Sequence, residues 1–253
     1  MKGFRDGLLE ERAYALTVNG RSIATVTMQA GLEKEFAYGY LLSEGIVQPS
    51  EIESVMVDGT DIGVLTRDTT KVLLPKKTVI SGCGGTASYL DPEKLPVLEK
   101  TIEPPAVSFV FDSETVQLGG FSAAVVSSGK VVSADDIGQT AAIDKAFGKA
   151  ILAGVDLSAS ALALSGKVTA DMVRKALHAG VSVIFAKYPA TSLAKETAEK
   201  TKLKIVKLYK YVTWLVCAFI HRDEDIISSF LVDVNHFLYS FCFSRYVVSY
   251  PVS

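Results

Sequence analysis

The sequence predicts a mixed α/β protein: a layered α/β sheet in its second half, preceded by a smaller α+β unit. Three observations carry this. From Ala106 onward, short apolar runs alternate with helical patterns of roughly ten to fifteen residues, the rhythm of a sheet with helices on its faces. Before it, alternating strand patterns joined by Asn-Gly and Asp-Gly turns flank one amphipathic helix. Between the two halves, DPEKLPVLEKTIEPP has no clear period, and its prolines read as a connection.

In chain order, AYALTV and SIATVTM alternate around Asn19-Gly20, a type I′ hairpin signal. LEKEFAYGYLLSEG then places Leu32, Phe36, Ala37, Tyr40 and Leu41 on one helical stripe, with Gly45 as the stop. IESVMV, IGVLTR and KVLLP are strand candidates, and Asp58-Gly59 turns between the first two. The loop SGCGG, Ser81 to Gly85, follows. VSFVFDSETVQLGG suits a helix ending at Gly119, and FSAAVVSS with KVVSA forms a second hairpin across Gly129. QTAAIDKAFGKAILAG spaces Ile143, Phe147 and Ile151 one helical turn apart and stops at Gly154. Strand ALALS, helix TADMVRKALHAG, strand VSVIFA, helix SLAKETAEKT and strand KIVKL complete the alternation. Thr169 and Ser192 stand where N-caps are wanted, and Gly180 where a C′ glycine is wanted. The boundaries that result are an α+β unit over 1–104, an α/β domain over 105–211, and an aromatic-rich tail over 212–253. The tail lacks a clear period; its aromatics suit an apolar patch or the pairing of two subunits into a homodimer.

Composition narrows the function classes. With 253 residues the chain can bury a sizeable core, and a formal net charge of −2 argues against a nucleic-acid binder driven by a basic surface. The first residues are too charged for a signal peptide. The apolar run YVTWLVCAFI falls far short of the roughly 20 residues that span a bilayer, and the free-thiol pattern of the cysteines leads to the expectation of a reducing cytoplasm. Cys83, Cys217 and Cys242 are widely spaced, like free thiols rather than a disulfide framework. His178, His221 and His236 form no zinc-ligand spacing with them, and no structural metal is expected. His178 falls at a helix C-terminus, where a protonated imidazole favours the dipole. SGKVT, Ser165 to Thr169, lacks the upstream glycine of a phosphate-binding loop and reads as a strand-to-helix turn.

Cys83 stands apart because its neighbours are glycines. One reading is a tight turn holding a small thiol, since cysteine often fills cores as a small hydrophobe. The other is a presented nucleophile. Glycine removes steric bulk and admits positive φ, and successive backbone N–H groups can stabilise a thiolate.

The order of the pieces resembles the FdhD/NarQ family, the formate dehydrogenase accessory proteins. The likeness runs over roughly 12–210 and is carried by LTVNGRSIATVTMQAGLEKEFAYGYLLSEGI, the SGCGG loop, LGGFSAAVVSSGKVVSADDIGQTAAIDKAFGKAIL, and the run from Ala161 to Val206. The chain also departs from the family pattern. Members often carry C-x-x-C in the loop, whereas Gly85-Thr86 follow the single Cys83 here. Phe121-Ser122 stand where a histidine is typical, and Gln139-Thr140-Ala141 where Arg-His-Asn is typical.

The resemblance implies a cytidine-deaminase-like fold for the second domain, without deaminase chemistry: neither DDIGQTAAIDK nor SGKVTADMV offers a zinc ligand of the Cys or His type. It implies a sulfur carrier in which Cys83 takes a persulfide sulfur from a cysteine desulfurase and passes it to the molybdenum cofactor of formate dehydrogenase. A cofactor of the molybdopterin guanine dinucleotide type would bind transiently along Gly119, Gly120, Asp136, Gly138, Ser165 and Lys187, at predicted strand ends and helix starts, with Lys207 and Lys210 adding charge. A second reading keeps the cofactor and drops the transfer: a non-catalytic chaperone that escorts the guanine-bearing molybdopterin to the same client.

Overall fold

The computed structural model describes residues 3–68, 95–103 and 111–208, with the backbone of short strands at 77–79, 86–88, 108–110, 209–210 and 245–247. In chain order the elements are β1 (Phe4–Arg5), β2 (Leu8–Leu9), β3 (Glu11–Val18), β4 (Arg21–Gln29), α1 (Glu33–Ser43), β5 (Ile52–Asp58), β6 (Asp61–Thr66), β7 (Lys77–Val79), β8 (Thr86–Ser88), β9 (Ser108–Val110), α2 (Glu114–Gln117), β10 (Phe121–Ser127), β11 (Lys130–Asp136), α3 (Gln139–Leu152), β12 (Ala161–Leu164), α4 (Ala170–His178), β13 (Val183–Ala186), α5 (Ser192–Thr201), β14 (Lys204–Lys207), β15 (Tyr209–Lys210) and β16 (Arg245–Val247). The strand candidate KVLLP, the Cys83 loop and most of the tail lie outside the described residues.

The N-terminal strands form a four-stranded sheet in the order β4-β3-β6-β5. Asn19 and Gly20 both have positive φ, 50° and 74°, as the expected type I′ turn between β3 and β4 requires. Alternation along β3 sends Tyr14, Leu16 and Val18 to one face, where they meet Phe36, Ala37 and Leu41 of α1. Leu32, expected on the helical stripe, instead precedes α1 as its N-cap with φ 61° and packs towards the other core.

The second half is a five-stranded sheet in the order β11-β10-β12-β13-β14. β10 runs antiparallel to both neighbours, and β12, β13 and β14 are parallel. Ala123, Val125, Leu162, Leu164 and Ile184 face a core shared with α3, α4 and α5. Ala124, Val126, Ala163 and Phe185 face away from it, towards Phe111 and Leu208. So the three long helices share one face among the described residues, although the alternation suggested helices on its faces more generally. The reason is directional. β11, β12, β13 and β14 step across the sheet in one sense, and right-handed crossovers then put every connecting helix on the same side. Two local expectations also change. VSFVFDSETVQLGG forms the short strand β9 and the single turn α2 rather than one helix, and Ser113 caps α2 by accepting the N–H of Val116. The N-cap of α5 is Thr191, whose hydroxyl accepts the N–H of Ala194, and Ser192 is the first helical residue.

α3 is covered on both sides, by the five-stranded sheet and by α1, so it is buried all along Ala141–Gly148. Full burial of an aromatic such as Phe147 stabilises by about 3 kcal/mol. The approach of α1 depends on Gly39 and Gly148. A Cβ on Gly39 would sit 1.7 Å from the carbonyl oxygen of Asp144, and one on Gly148 the same distance from that of Glu35. The two helices therefore touch backbone to backbone.

Charges are buried in that junction. Lys175 Nζ lies 2.8 Å from Glu44 and 2.9 Å from Asp144, and it donates to Ser43 Oγ. Arg174 pairs with Glu44 and Asp171 at 2.7 Å each. Burial pushes Asp144 up to about 6, while Lys175 is held above its ordinary range despite its own burial. Asp144 first and Glu44 next attract the Lys175 charge, while the charge of Glu44 adds to burial in raising Asp144. Burial opposes ionisation of Glu44 as well, but Lys175 and Arg174 together hold it well below the usual carboxylate range. His178 does end α4 as expected, but burial and the nearby Arg174 depress its pKa, which disfavours the protonated form that the helix dipole would attract.

Candidate cofactor site

The pairing register places the candidate residues along one edge of the five-stranded sheet. Phe121, which opens β10, pairs with Asp136, which closes β11. Ala123 pairs with Leu164 at the end of β12, Leu164 with Ala186 at the end of β13, and Ala186 with Lys207 at the end of β14. Gly119 and Gly120 precede β10, Gly138 and Ser165 follow β11 and β12, and Lys187 follows β13. The N-termini of α3, α4 and α5 open on this edge, because each helix follows a strand that ends there. Lys210 falls in β15, beyond the edge, and its side chain lies outside the described residues, as does Cys83.

These residues have different capacities. Asp136 is wholly buried. Its Oδ2 lies 2.6 Å from Lys145 Nζ and accepts the N–H of Gln29, while Oδ1 accepts the N–H of Gly138. Lys145 also donates to the carbonyl of Gln29 at 2.6 Å. Burial pushes the Asp136 carboxyl up, against the pull of Lys145. Asp136 is thus engaged in a clasp between β4, β11 and the start of α3, and it positions the edge from behind. Ser165 Oγ accepts the N–H of Ser122, and its own N–H donates to the Ser122 carbonyl, so it extends the β12 ladder. Gly120 is required by space: a Cβ would lie 2.6 Å from Thr115 Cγ2 and 2.9 Å from the carbonyl of Asp136. Gly119 is exposed, with φ 92°.

The remaining residues offer the chemistry of anion binding. Gly138 is the N-cap of α3 and has no side chain, so no cap hydrogen bond takes up the first-turn amides of this 14-residue helix. Lys187 follows Ala186, the last residue of β13, whose register partner is Lys207 of β14, so the two lysines stand at neighbouring strand ends one residue out of register. β10 and β12 lie between Asp136 and the strand that leads to Lys187, and β13 lies further between it and Lys207. The edge is therefore an extended rim, suited to a long ligand. Gln139, where α3 begins, is buried; its amide donates to the Lys167 carbonyl and lies against Gly166, where a Cβ would require the Gln139 amide to shift.

Lys145 and Gln29 escaped sequence reasoning. The signal present in the sequence is a lysine two residues from both Ile143 and Phe147, inside a helix whose apolar stripe does not predict its burial. Among the described residues, no group of three or more His, Cys, Asp or Glu side chains is arranged to hold a metal ion, and no helix is long and apolar enough to cross a membrane.

Comparison with known proteins gives a consistent result. The sulfur carrier protein FdhD of Wolinella succinogenes is 28% identical over 222 residues, covering 79% of this chain and 77% of that protein. The protein FdhD of Methanocaldococcus jannaschii is 25% identical over 205 residues, covering 79% and 83%. A crystal structure from Desulfotalea psychrophila, assigned as a formate dehydrogenase accessory protein, has the same fold, with a TM-score of 0.60 at 20% identity over 78% of this chain and 82% of that one. The family model of FdhD/NarQ matches residues 9–216, which takes in both sheets and every helix described above. The chain belongs to the FdhD/NarQ family.

Proposed function

We propose that this protein is a sulfur carrier serving formate dehydrogenase, with Cys83 as the sulfur-bearing residue and the sheet edge as the seat of a molybdopterin guanine dinucleotide type cofactor. The observation that carries the reading is the convergence of the rim residues on one edge of a chain whose relatives include a protein named as a sulfur carrier. The uncapped amides of α3 and the lysines at the ends of β13 and β14 fit the phosphates of such a ligand. The strand order β11-β10-β12-β13-β14, with its first pair antiparallel, supports a cytidine-deaminase-like description of the second domain.

The uptake step balances without an external oxidant. The Cys83 thiolate attacks the outer sulfur of a persulfide on a cysteine desulfurase. The donor's S–S bond breaks, its electron pair leaves on the donor thiolate, and one new S–S bond forms on Cys83. Onward delivery as sulfide takes two electrons, which a thiol reductant supplies as it becomes a disulfide. Labelled sulfur from a cysteine desulfurase tests the reading: the wild-type chain takes it up, as do Cys217→Ala and Cys242→Ala, and Cys83→Ala does not. Uptake by Cys83→Ala at the wild-type rate would remove the carrier role and leave that of a non-catalytic cofactor escort.

A further inference from the structure

We propose that Tyr188 is the base-stacking platform of this site: the planar base of a purine nucleoside diphosphate lies on its ring while the phosphates meet Lys187 and the helix N-termini of the rim. The inference rests on the nucleotide reading above and adds the residue that would recognise the base.

Three features of the Tyr188 surroundings support it. First, it is the one aromatic side chain among the described residues in the exposed class, at 50% exposure. Its neighbours behave differently: Ala186 is buried and Ala190 packs on the core, so the ring is turned out while the backbone beside it is turned in. Second, its segment is pinned at both ends to the β12–α4 connection. Lys187 N–H donates to the Leu164 carbonyl at 3.3 Å, and Thr191 N–H donates to the Val168 carbonyl at 3.0 Å. That connection carries Ser165 and leads into α4, so the ring is held at the ligand edge by a rigid frame and not by a free loop. Third, Lys187 Nζ lies 5.4 Å from the ring centroid. A cation at that distance interacts with the ring and places positive charge beside the position of a stacked nucleotide. Aromatic rings in such places stack on bases of any sequence, because every base has a π-face.

Calorimetry on the full chain with GDP, and with inorganic pyrophosphate as a probe that lacks the base, tests the assignment. Tyr188→Ala is expected to weaken GDP binding about tenfold or more, and Tyr188→Phe, which keeps the ring, to stay within about twofold of wild type. Pyrophosphate binding should be the same in all three proteins. GDP affinity unchanged by Tyr188→Ala would overturn the platform while leaving the nucleotide site. A parallel loss for pyrophosphate would also overturn it, by showing that the substitution disturbs the rim. A wild-type chain without affinity for GDP would overturn the nucleotide reading itself and the platform with it.

Discussion

Gly39→Ala puts the contact between α1 and α3 to a direct test. The added Cβ would lie 1.7 Å from the Asp144 carbonyl oxygen, 2.6 Å from its carbon and 2.9 Å from the Gly148 nitrogen. All three are backbone atoms of α3, so no rotamer change relieves them. An ordinary carbon–oxygen contact needs about 3.4 Å, so the helices must part by well over 1 Å along a face that is otherwise close-packed. Two effects oppose each other. Replacing glycine by alanine within a helix gains up to about 1 kcal/mol of intrinsic propensity. Overpacking of this kind costs about 1–3 kcal/mol, and the same displacement draws Ser43 and Glu44 away from Asp144, Lys175 and Arg174, a buried ionic set whose disruption costs about 3 kcal/mol more. The net is a destabilisation of about 3 kcal/mol, read as a fall in melting temperature of roughly 6–12 °C for a chain of this size. Thermal unfolding followed by circular dichroism measures it. Gly148→Ala meets the Glu35 carbonyl at the same 1.7 Å and should behave alike. Because one separation relieves both clashes, the double variant should lose less than the sum of the singles. A Gly39→Ala protein that melts at or above the wild-type temperature would refute the backbone-to-backbone packing.

Three further outcomes follow from the same geometry. Lys145→Met removes the cation that faces the buried Asp136 carboxyl and should cost about 3–5 kcal/mol in denaturant unfolding, whereas Asp136→Asn/Lys145→Met should recover more than half of that loss. If the double variant is the weaker protein, the clasp does not work through charge. The pH dependence of melting separates Glu44 from Asp144. Glu44 is held below its unfolded value of 4.5, so its contribution is present above that pH and is lost as pH falls, and Glu44→Gln should flatten the acid limb. Asp144 is raised from 3.8 to about 6, so the folded chain takes up a proton there and gains stability as pH falls through 6 towards 3.8; Asp144→Asn should remove that rise. An unaltered profile in either variant would contradict the corresponding assignment. Finally, Thr191→Ala should cost about 1 kcal/mol and Ser192→Ala nearly nothing, because Thr191 carries the capping bond of α5; equal losses would return the cap to Ser192.

The elements legible in the sequence were those whose signals are local. Asn19-Gly20, Gly129, Gly154 and Gly180 each sit at the positive φ that the turn or helix end demands, and the apolar runs of β12 and β13 are buried throughout, as strands inside a covered sheet should be. The edge that gathers Gly120, Gly138, Ser165, Lys187 and Lys207 was legible for the same reason: strand ends of an alternating α/β run fall on one side by topology alone. What the sequence hid were contacts more than 100 residues apart. Lys145 with Gln29, and Lys175 and Arg174 with Ser43 and Glu44, look like ordinary surface charges until α1 is laid on α3 and α4. The partners of Asp136 were hidden for the same reason. Its position at a strand end suggests a ligand contact, whereas its bond from Gln29 of β4 appears only in the folded chain.

Those long-range contacts share one consequence. Two sets of buried charges and a pair of glycines join the N-terminal sheet and its helix to the ligand-edge half of the chain, and apolar packing alone would have been the cheaper way to hold them. Five ionised groups, Glu44, Asp144, Asp171, Arg174 and Lys175, sit where hydrophobic side chains of similar volume would stabilise at least as well. Apolar surfaces tolerate sliding, however, and each of these charges has partners in a single register. A shift of α1 by one turn along α3 would take Glu44 from both Lys175 and Arg174, and it would drive the backbone of one helix into residues other than Gly39 and Gly148. Lys145 fixes the other end, because its bonds to Asp136 and Gln29 tie the last residue of β4 to the turn from which α3 begins. The junction thus sets one position for α1 against the amides of Gly138–Ala141, so the N-terminal half and the candidate cofactor rim are held as one frame rather than as two units on a hinge.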